Sequence, residues 1–346
     1  MQLGITLRIN GATPKLSMDE VLEAERLGYV SVWGGEAWGT DAVSPAAWVL
    51  ARTTRIKAGT SIMQMQARTP ACAAMTAMTL QALSNNRFLL GVGASGPQVI
   101  EGWHGVPYGK PLGRTKEYIE IVRKILARDA PLTHQGEHYQ IPYTGPGSTG
   151  LGKPLRSIVH GDPSLPIYTA SITPAGLRTA GEVSDGTLPI WFSPEQADLI
   201  AQPIFDGMKQ AGKPANLAKF DLAPYVKVSM GPDLQACRDA VRPNLALYIG
   251  GMGARSKNFY NDFAVRLGYA EAAAKIQDLY LDGHKKDAEA LVPDALIDEI
   301  ALAGTADRIK DRLQVWKQAA KDGKLTTMVL TGASIEAMRV VAEAVL

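Results

Sequence analysis

Eight times along the chain a short strand-like apolar run gives way to a stretch with helical spacing, and this alternation restricts the fold more than any other feature. The strand-like runs are LGITLRI, YVSVW, RIKAGTSI, RFLLGVG, LPIYTAS, VSDGTLPIW, FDLAPYVKVSM and LTTMVLTG. Helical patterns follow them over 18–27, 45–51, 70–83, 114–127, from Thr173 and Pro174 onward, and over 194–210, 233–247 and 306–320, with a last helix from Ser334. No linker-like shift in composition divides them. The expectation is one domain over residues 1–346, a closed parallel (β/α)8 TIM barrel of the α/β class. Two interruptions stand out: a Gly-, Pro- and His-rich stretch over about 131–165 that opens with a hairpin pattern, and a helical insertion over about 250–300.

The charge balance narrows the partners. Lys and Arg total 36 against 34 Asp and Glu, a formal charge of +2 without a basic tract, so a nucleic-acid footprint is not expected. With 46% hydrophobic residues the chain can bury a large core, yet no run reaches membrane-spanning length. The amino terminus begins on a strand pattern and lacks the regions of a signal peptide, which makes a cytoplasmic protein acting on a small organic molecule the expectation. Cys72 and Cys237 have neither CxxC spacing nor a nearby His pair, so no metal is expected and both read as buried thiols.

In a parallel barrel the chemistry collects on the loops that follow the strands. After the second strand, WGGEAWGTD brings Trp33, Glu36, Trp38 and Asp41 into a Gly-rich turn that either cradles a planar ring or is an ordinary surface turn. After the third, GTSIMQMQART offers Ser61, Gln64 and Gln66 as hydrogen-bonding groups, while Ile62, Met63 and Met65 suit a flat apolar ligand or a barrel layer. After the fourth, GVGASG is a literal GxGxxG containing Gly93, Ala94, Ser95 and Gly96. It stands in the fourth unit, and KPLGRTKEY follows it where a ribose-binding acid would be needed, so the dinucleotide reading is weak and a Gly-rich turn with free N–H groups remains.

Further along, EGWHGVPYGKPLGR supplies Glu101, Trp103, His104, Tyr108 and Arg114, a mixture of stacking and proton-transfer groups. After the fifth strand, Thr169, Ala170, Ser171, Ile172 and Thr173 precede Pro174, and the hydroxyls suit a phosphate socket, a helix cap, or both. Arg255 and Lys257 sit in GGMGARSKNFYND, which reads as a lid over the mouth or as a solvated loop. Trp38, Trp103, Tyr108 and Trp191 are the candidates for an apolar substrate pocket, and Glu36 and His104 for proton transfer.

Four segments together make the chain recognisable: AERLGYVSVWGGEAWGTDAVSP, ALSNNRFLLGVGASGPQVIEGWHGVPYGKP with Arg114, IYTASITPAGLRTAGEVSDGTLP, and IALAGTADRIKDRL. In this order they resemble the luciferase-like monooxygenase superfamily, in particular its deazaflavin (coenzyme F420)-dependent oxidoreductase branch. The resemblance implies a bacterial luciferase-like barrel, a homodimer, and a cofactor ring at the strand ends over a non-proline cis peptide at Ser61-Ile62. It further implies cofactor contacts from Glu36, Gln64 and the Gly93 to Gly96 turn, and a phosphate near Thr169 to Thr173. Many deazaflavin dehydrogenases of this superfamily carry an Asp-His pair after the second strand, whereas Glu36 and Ala37 stand here. The implied activity is F420-dependent hydride transfer to or from a small carbonyl or unsaturated substrate. The alternatives are an FMN-dependent monooxygenase using reduced flavin and oxygen, and a non-catalytic flavin-binding protein.

Overall fold

The computed structural model describes residues 1–346. Eight strands run parallel in chain order: Gln2–Thr6, Ser31–Gly34, Lys57–Thr60, Phe88–Gly93, Ile167–Thr169, Gly186–Thr187, Tyr225–Met230 with its lead-in Asp221–Leu222, and Thr327–Thr331. Each pairs with the next, and Gln2 opposite Thr327 returns the eighth to the first, so the sheet closes on itself. The strands read as nearly continuous apolar runs because both faces are covered, helices outside and packed side chains within. Trp33, Leu89, Tyr168, Leu188, Ala223 and Val329 fill the barrel interior beside Tyr225, with the Trp33 and Tyr168 rings edge to face at 4.8 Å.

Several helices match their sequence pattern closely, among them Met18–Leu27, Pro70–Ser84, Pro111–Ala127 and Ala306–Lys321. Four details differ from expectation. The helix expected over 233–247 is broken into Leu234–Asp239, Arg242–Ala246 and a π-turn at Leu247–Gly251; Pro243 has no N–H to continue the first piece and instead sits in the first turn of the second. VSDGTLPIW forms regular strand only at Gly186–Thr187, with one further bridge from Ile190 to Tyr225, because Pro189 interrupts the donor ladder.

The third difference is an extra strand, Ala301–Gly304, at the end of the helical insertion. It pairs in parallel with the upper half of the seventh strand, Lys227 to Met230, above the level at which the sixth strand ends. The helices Phe259–Arg266, Ala270–Leu281, Lys285–Ala290 and Asp294–Ile300 therefore lie between two adjacent strands. The fourth concerns Cys72, which is exposed on its helix while Cys237 is buried: the small-residue helix turns Ala73, Ala74 and Ala77 to the core and Cys72 away from it.

Within 131–165 the regular structure is a small antiparallel hairpin, His134–Gln135 with Gln140–Ile141. Glu117, from the helix beneath, accepts backbone N–H groups of Glu137, His138 and Tyr139 and holds the hairpin tip. No helix is long and apolar enough to cross a membrane.

Candidate active site at the carboxyl mouth of the barrel

Beyond the third strand the chain passes through a cis peptide at Ser61-Ile62 and moves sideways, so that Met63 and Gln64 pair with Val92 and Gly93 of the fourth strand. Two glycines of GVGASG make this crossing possible. A Cβ on Gly91 would lie 1.9 Å from the Thr60 carbonyl oxygen, and one on Gly93 would lie 2.8 Å from Ile62 Cγ1. The literal GxGxxG thus reflects close packing of neighbouring barrel strands. Met63 and Met65 are buried and belong to the core, while Ile62 remains partly open at the mouth.

Glu36 joins the second and third loops. Its Oε2 accepts the Gln64 N–H at 2.9 Å and the Arg68 Nη1 at 2.7 Å, and its Oε1 accepts the Ala42 N–H at 3.2 Å. The carboxylate side chain is 7% exposed and its guanidinium partner 18%. The hydrogen bond that Arg68 donates to Glu36 raises the guanidinium above its ordinary value despite partial burial. Asp41 stands 3.8 Å from the other arm of Arg68; burial pushes its carboxyl up, but the Ser44 and Val43 N–H donors together with Arg68 outweigh that and hold it below the usual range.

Gln64 is buried and organises the next shell. Its Nε2 lies 3.3 Å from the carbonyl oxygens of Glu36 and Ala37 and 3.2 Å from Ser95 Oγ, while its Oε1 lies 2.5 Å from His104 Nε2. Backbone carbonyls accept only, so the amide nitrogen must face them and the amide oxygen must face the imidazole. His104 therefore carries a proton on Nε2, which leaves Nδ1 as the atom that gains or loses one. Ser95 has a positive φ of 56°, and the Tyr108 hydroxyl donates to its carbonyl at 3.2 Å.

After the fifth strand, Ser171 Oγ accepts the Thr173 N–H and Thr173 Oγ accepts the Gly176 N–H, each at 3.2 Å, which caps the helix Pro174–Val183. Thr169 Oγ is buried without a partner, an orphaned polar atom at the same strand end. Ala170 is exposed, Ile172 is buried, and the Ile172 carbonyl accepts from Arg266 of the insertion at 2.5 Å.

Glu36, Gln64, Ser95, His104 and Tyr108 thus form one connected group, while the tryptophans separate. Trp38 and Trp103 are about two-thirds exposed, at 65% and 66%. Trp191 is buried in an aromatic cluster with Tyr248, Tyr260 and Phe263, the last stacked at 6.5 Å, so it packs internally against the insertion. Arg255 is engaged by Asp278 and Asp282 within the insertion, and Lys257 lies over the Phe259 ring.

Three polar groups of the mouth escaped the reading of loops. Arg68 lies at the end of the third loop, inside GTSIMQMQART but not among the residues singled out there. Tyr225 and Lys227 lie within the seventh strand, where they alternate with the buried Val226 and Val228 and so face the barrel. The buried Tyr225 hydroxyl is directed at Ser61 from the opposite side of the barrel, without a well-formed hydrogen bond, and burial raises it far above its ordinary value. Polar residues on alternate positions of YVKVSM were the available signal.

Residues 6–323 match the model of the luciferase-like monooxygenase family. The chain is 40% identical over 341 residues to a Mycobacterium tuberculosis protein provisionally named a coenzyme F420-dependent oxidoreductase, covering 98% of this chain and 97% of that one. It is 27% identical over 319 residues to a 5,10-methylenetetrahydromethanopterin reductase of Archaeoglobus fulgidus, covering 90% and 87%. Among solved structures, the coenzyme F420-dependent tetrahydromethanopterin reductase of Methanopyrus kandleri superposes with a TM-score of 0.79 at 21% identity over 99% of this chain and 98% of that one, a likeness of fold.

Proposed function

Because the chain belongs to the luciferase-like monooxygenase family, we propose that it is a coenzyme F420-dependent oxidoreductase that moves hydride to or from a small carbonyl or unsaturated substrate at the barrel mouth. The observation that carries this reading is the cradle between the third and fifth strands, in a chain so similar over its length to a protein bearing that name. Ile62 offers an apolar face for a flat ring, Ser61 and Ser95 offer polar edges, and the unpartnered Thr169 hydroxyl with Ser171 and Thr173 suits a phosphate. These donors fit a deazaflavin, and they fit a flavin equally well in kind.

When bound, the deazaflavin supplies a carbon centre able to accept or release hydride. The chain's own residues then bind, orient and manage protons. Gln64 fixes the imidazole of His104, whose Nδ1 holds or gives the proton that accompanies hydride transfer. Glu36 is saturated by Arg68 and two N–H donors, which suits it to fixing the two loops rather than to proton transfer. Tyr225 closes the floor beneath Ser61.

Fluorescence titration of ligand-free protein with coenzyme F420 and, separately, with FMN tests the reading. Tight F420 binding followed by anaerobic substrate-dependent reduction or oxidation is expected. Preference for FMN with oxygen consumption would replace it by a monooxygenase, and binding without turnover of any enone or ketone would favour a cofactor carrier.

A further inference from the structure

Lys227 is the one charged side chain between Tyr225 and Met230 of the seventh strand, it faces the barrel, and it has no counter-ion. It is half-buried, and no hydrogen bond or ion pair engages its ammonium. Gly332, just past the eighth strand, leaves it room: a Cβ there would sit 2.4 Å from Lys227 Nζ. Burial lowers Lys227 below its ordinary value, and the neighbouring Arg8 adds to that. Arg8, after the first strand, is paired with Glu20, whereas Lys227 has nothing to offset its charge. An ammonium kept partly out of water without a partner is costly, and such a group is retained most readily where a ligand completes it.

Its place in the barrel decides which ligand. The cofactor cradle occupies the ends of strands three to five, while Lys227 lies in strand seven and Arg8 just after strand one, across the mouth. Tyr225, two residues before Lys227 on the same face, reaches Ser61 at the floor of the cradle. Two residues of strand span about 6.6 Å, so Lys227 branches from the chain about that far along the strand from Tyr225, and its ammonium lies beside Gly332, past the end of the eighth strand and across the barrel from the cradle. We propose that the substrate carries an anionic oxygen group, a carboxylate or a phosphate, that docks on Lys227 with Arg8 beside it. This rests on the cofactor reading for its orientation, because the cradle must be taken by the cofactor for the opposite side to remain for the substrate.

The test uses the full chain with its lysines reductively methylated with carbon-13, free and loaded with F420, the Lys227 signal being identified by its loss in Lys227→Met. Benzoate and inorganic phosphate should shift that signal saturably in the loaded protein, and neutral benzamide should leave it unmoved. Calorimetry on unmethylated protein should show Lys227→Met weakening benzoate binding about tenfold or more, Lys227→Arg retaining it, and both keeping F420 affinity within about twofold of the parent, a limit set well below one tenfold step. A response to benzamide equal to that to benzoate, or a linear drift like that of exposed lysines, would overturn the proposal. So would loss of F420 affinity in Lys227→Met, since the ammonium would then serve the cofactor. If F420 binds neither parent nor variant while benzoate still titrates Lys227 saturably, the cofactor reading fails and the anion site stands.

Discussion

His104 Nε2 lies 2.5 Å from Gln64 Oε1, and the same amide turns its nitrogen to the carbonyls of Glu36 and Ala37. The imidazole is thereby held in one tautomer by backbone groups it never touches. Under the proposed chemistry, His104→Phe should lower turnover about a hundredfold, the lower end of what a positioned acid or base supplies, while leaving F420 affinity within about twofold. Gln64→Leu, which frees the imidazole, should lower turnover less than His104→Phe does. Unchanged turnover in His104→Phe would take the proton-transfer role away from this residue.

Glu36→Ala leaves the Arg68 guanidinium and the Gln64 N–H without their acceptor in a place where water is scarce. Breaking a buried pair from one side destabilises by about 3 kcal/mol or more, and urea unfolding should show a lower midpoint of that order. Arg68→Met made together with Glu36→Met should lose less than the sum of the two single changes. Additive losses would mean that the two side chains do not depend on each other.

Gly91→Ala and Gly93→Ala should fail in different ways. The first drives a methyl into the Thr60 carbonyl, which belongs to the backbone of the neighbouring strand and cannot yield, so soluble expression or thermal stability should collapse. The second meets the Ile62 side chain, which can turn aside, so the protein should fold while its affinity for F420 falls. Thermal melts and fluorescence titration of the two variants side by side distinguish these outcomes.

Two carboxylates clasp loops by accepting runs of backbone N–H groups: Glu25 from Thr54, Arg55 and Ile56, and Glu117 from Glu137, His138 and Tyr139. Partial burial pushes both carboxyls up, but the donors win and hold each below the ordinary glutamate value of 4.5. A carboxyl depressed in the folded state stabilises fully above its unfolded value and loses that contribution as pH falls through the folded one. Amide exchange at 54–56 and 137–139, corrected for intrinsic rates, should therefore accelerate as pH drops below 4.5. Glu117→Gln should open 137–139 at neutral pH while leaving 54–56 protected.

Cys72 and Cys237 should part in reactivity. Iodoacetamide applied to the native protein should add once, at Cys72, and reach Cys237 only after denaturation. Intact mass and peptide mapping read both numbers.

The alternation of patterns carried the barrel because a helix such as Met18–Leu27 buries one face that its spacing records, while a strand such as Phe88–Gly93 is buried on both faces and shows as a continuous apolar run. Ala301–Gly304 escaped because four apolar residues between helices are too few to show a period of their own; they are a strand only because Lys227 to Met230 offer an open edge. The third, fourth and fifth loops were legible as candidates for a site since they follow strands. Gln64 was visible as a hydrogen-bonding group, but its grip on His104 joins residues forty positions apart, which no local pattern encodes. Lys227 was hidden by the habit of looking beyond a strand instead of at its inward face, and Trp191 misled because an aromatic suited to a pocket is equally suited to a helical neighbour such as Phe263.

The extra strand gives the insertion an unusual attachment. The chain leaves the barrel at Met230 and comes back at Ala301, laid directly along the strand it left, so departure and return share one edge of the sheet. Because departure and return share that edge, the length of the segment between them does not set the register of the eight strands. The strand to which it is stitched is the one bearing Lys227, and Arg266 within the segment donates to the Ile172 carbonyl beyond the fifth strand, so diversification of that segment would reach both sides of the barrel mouth.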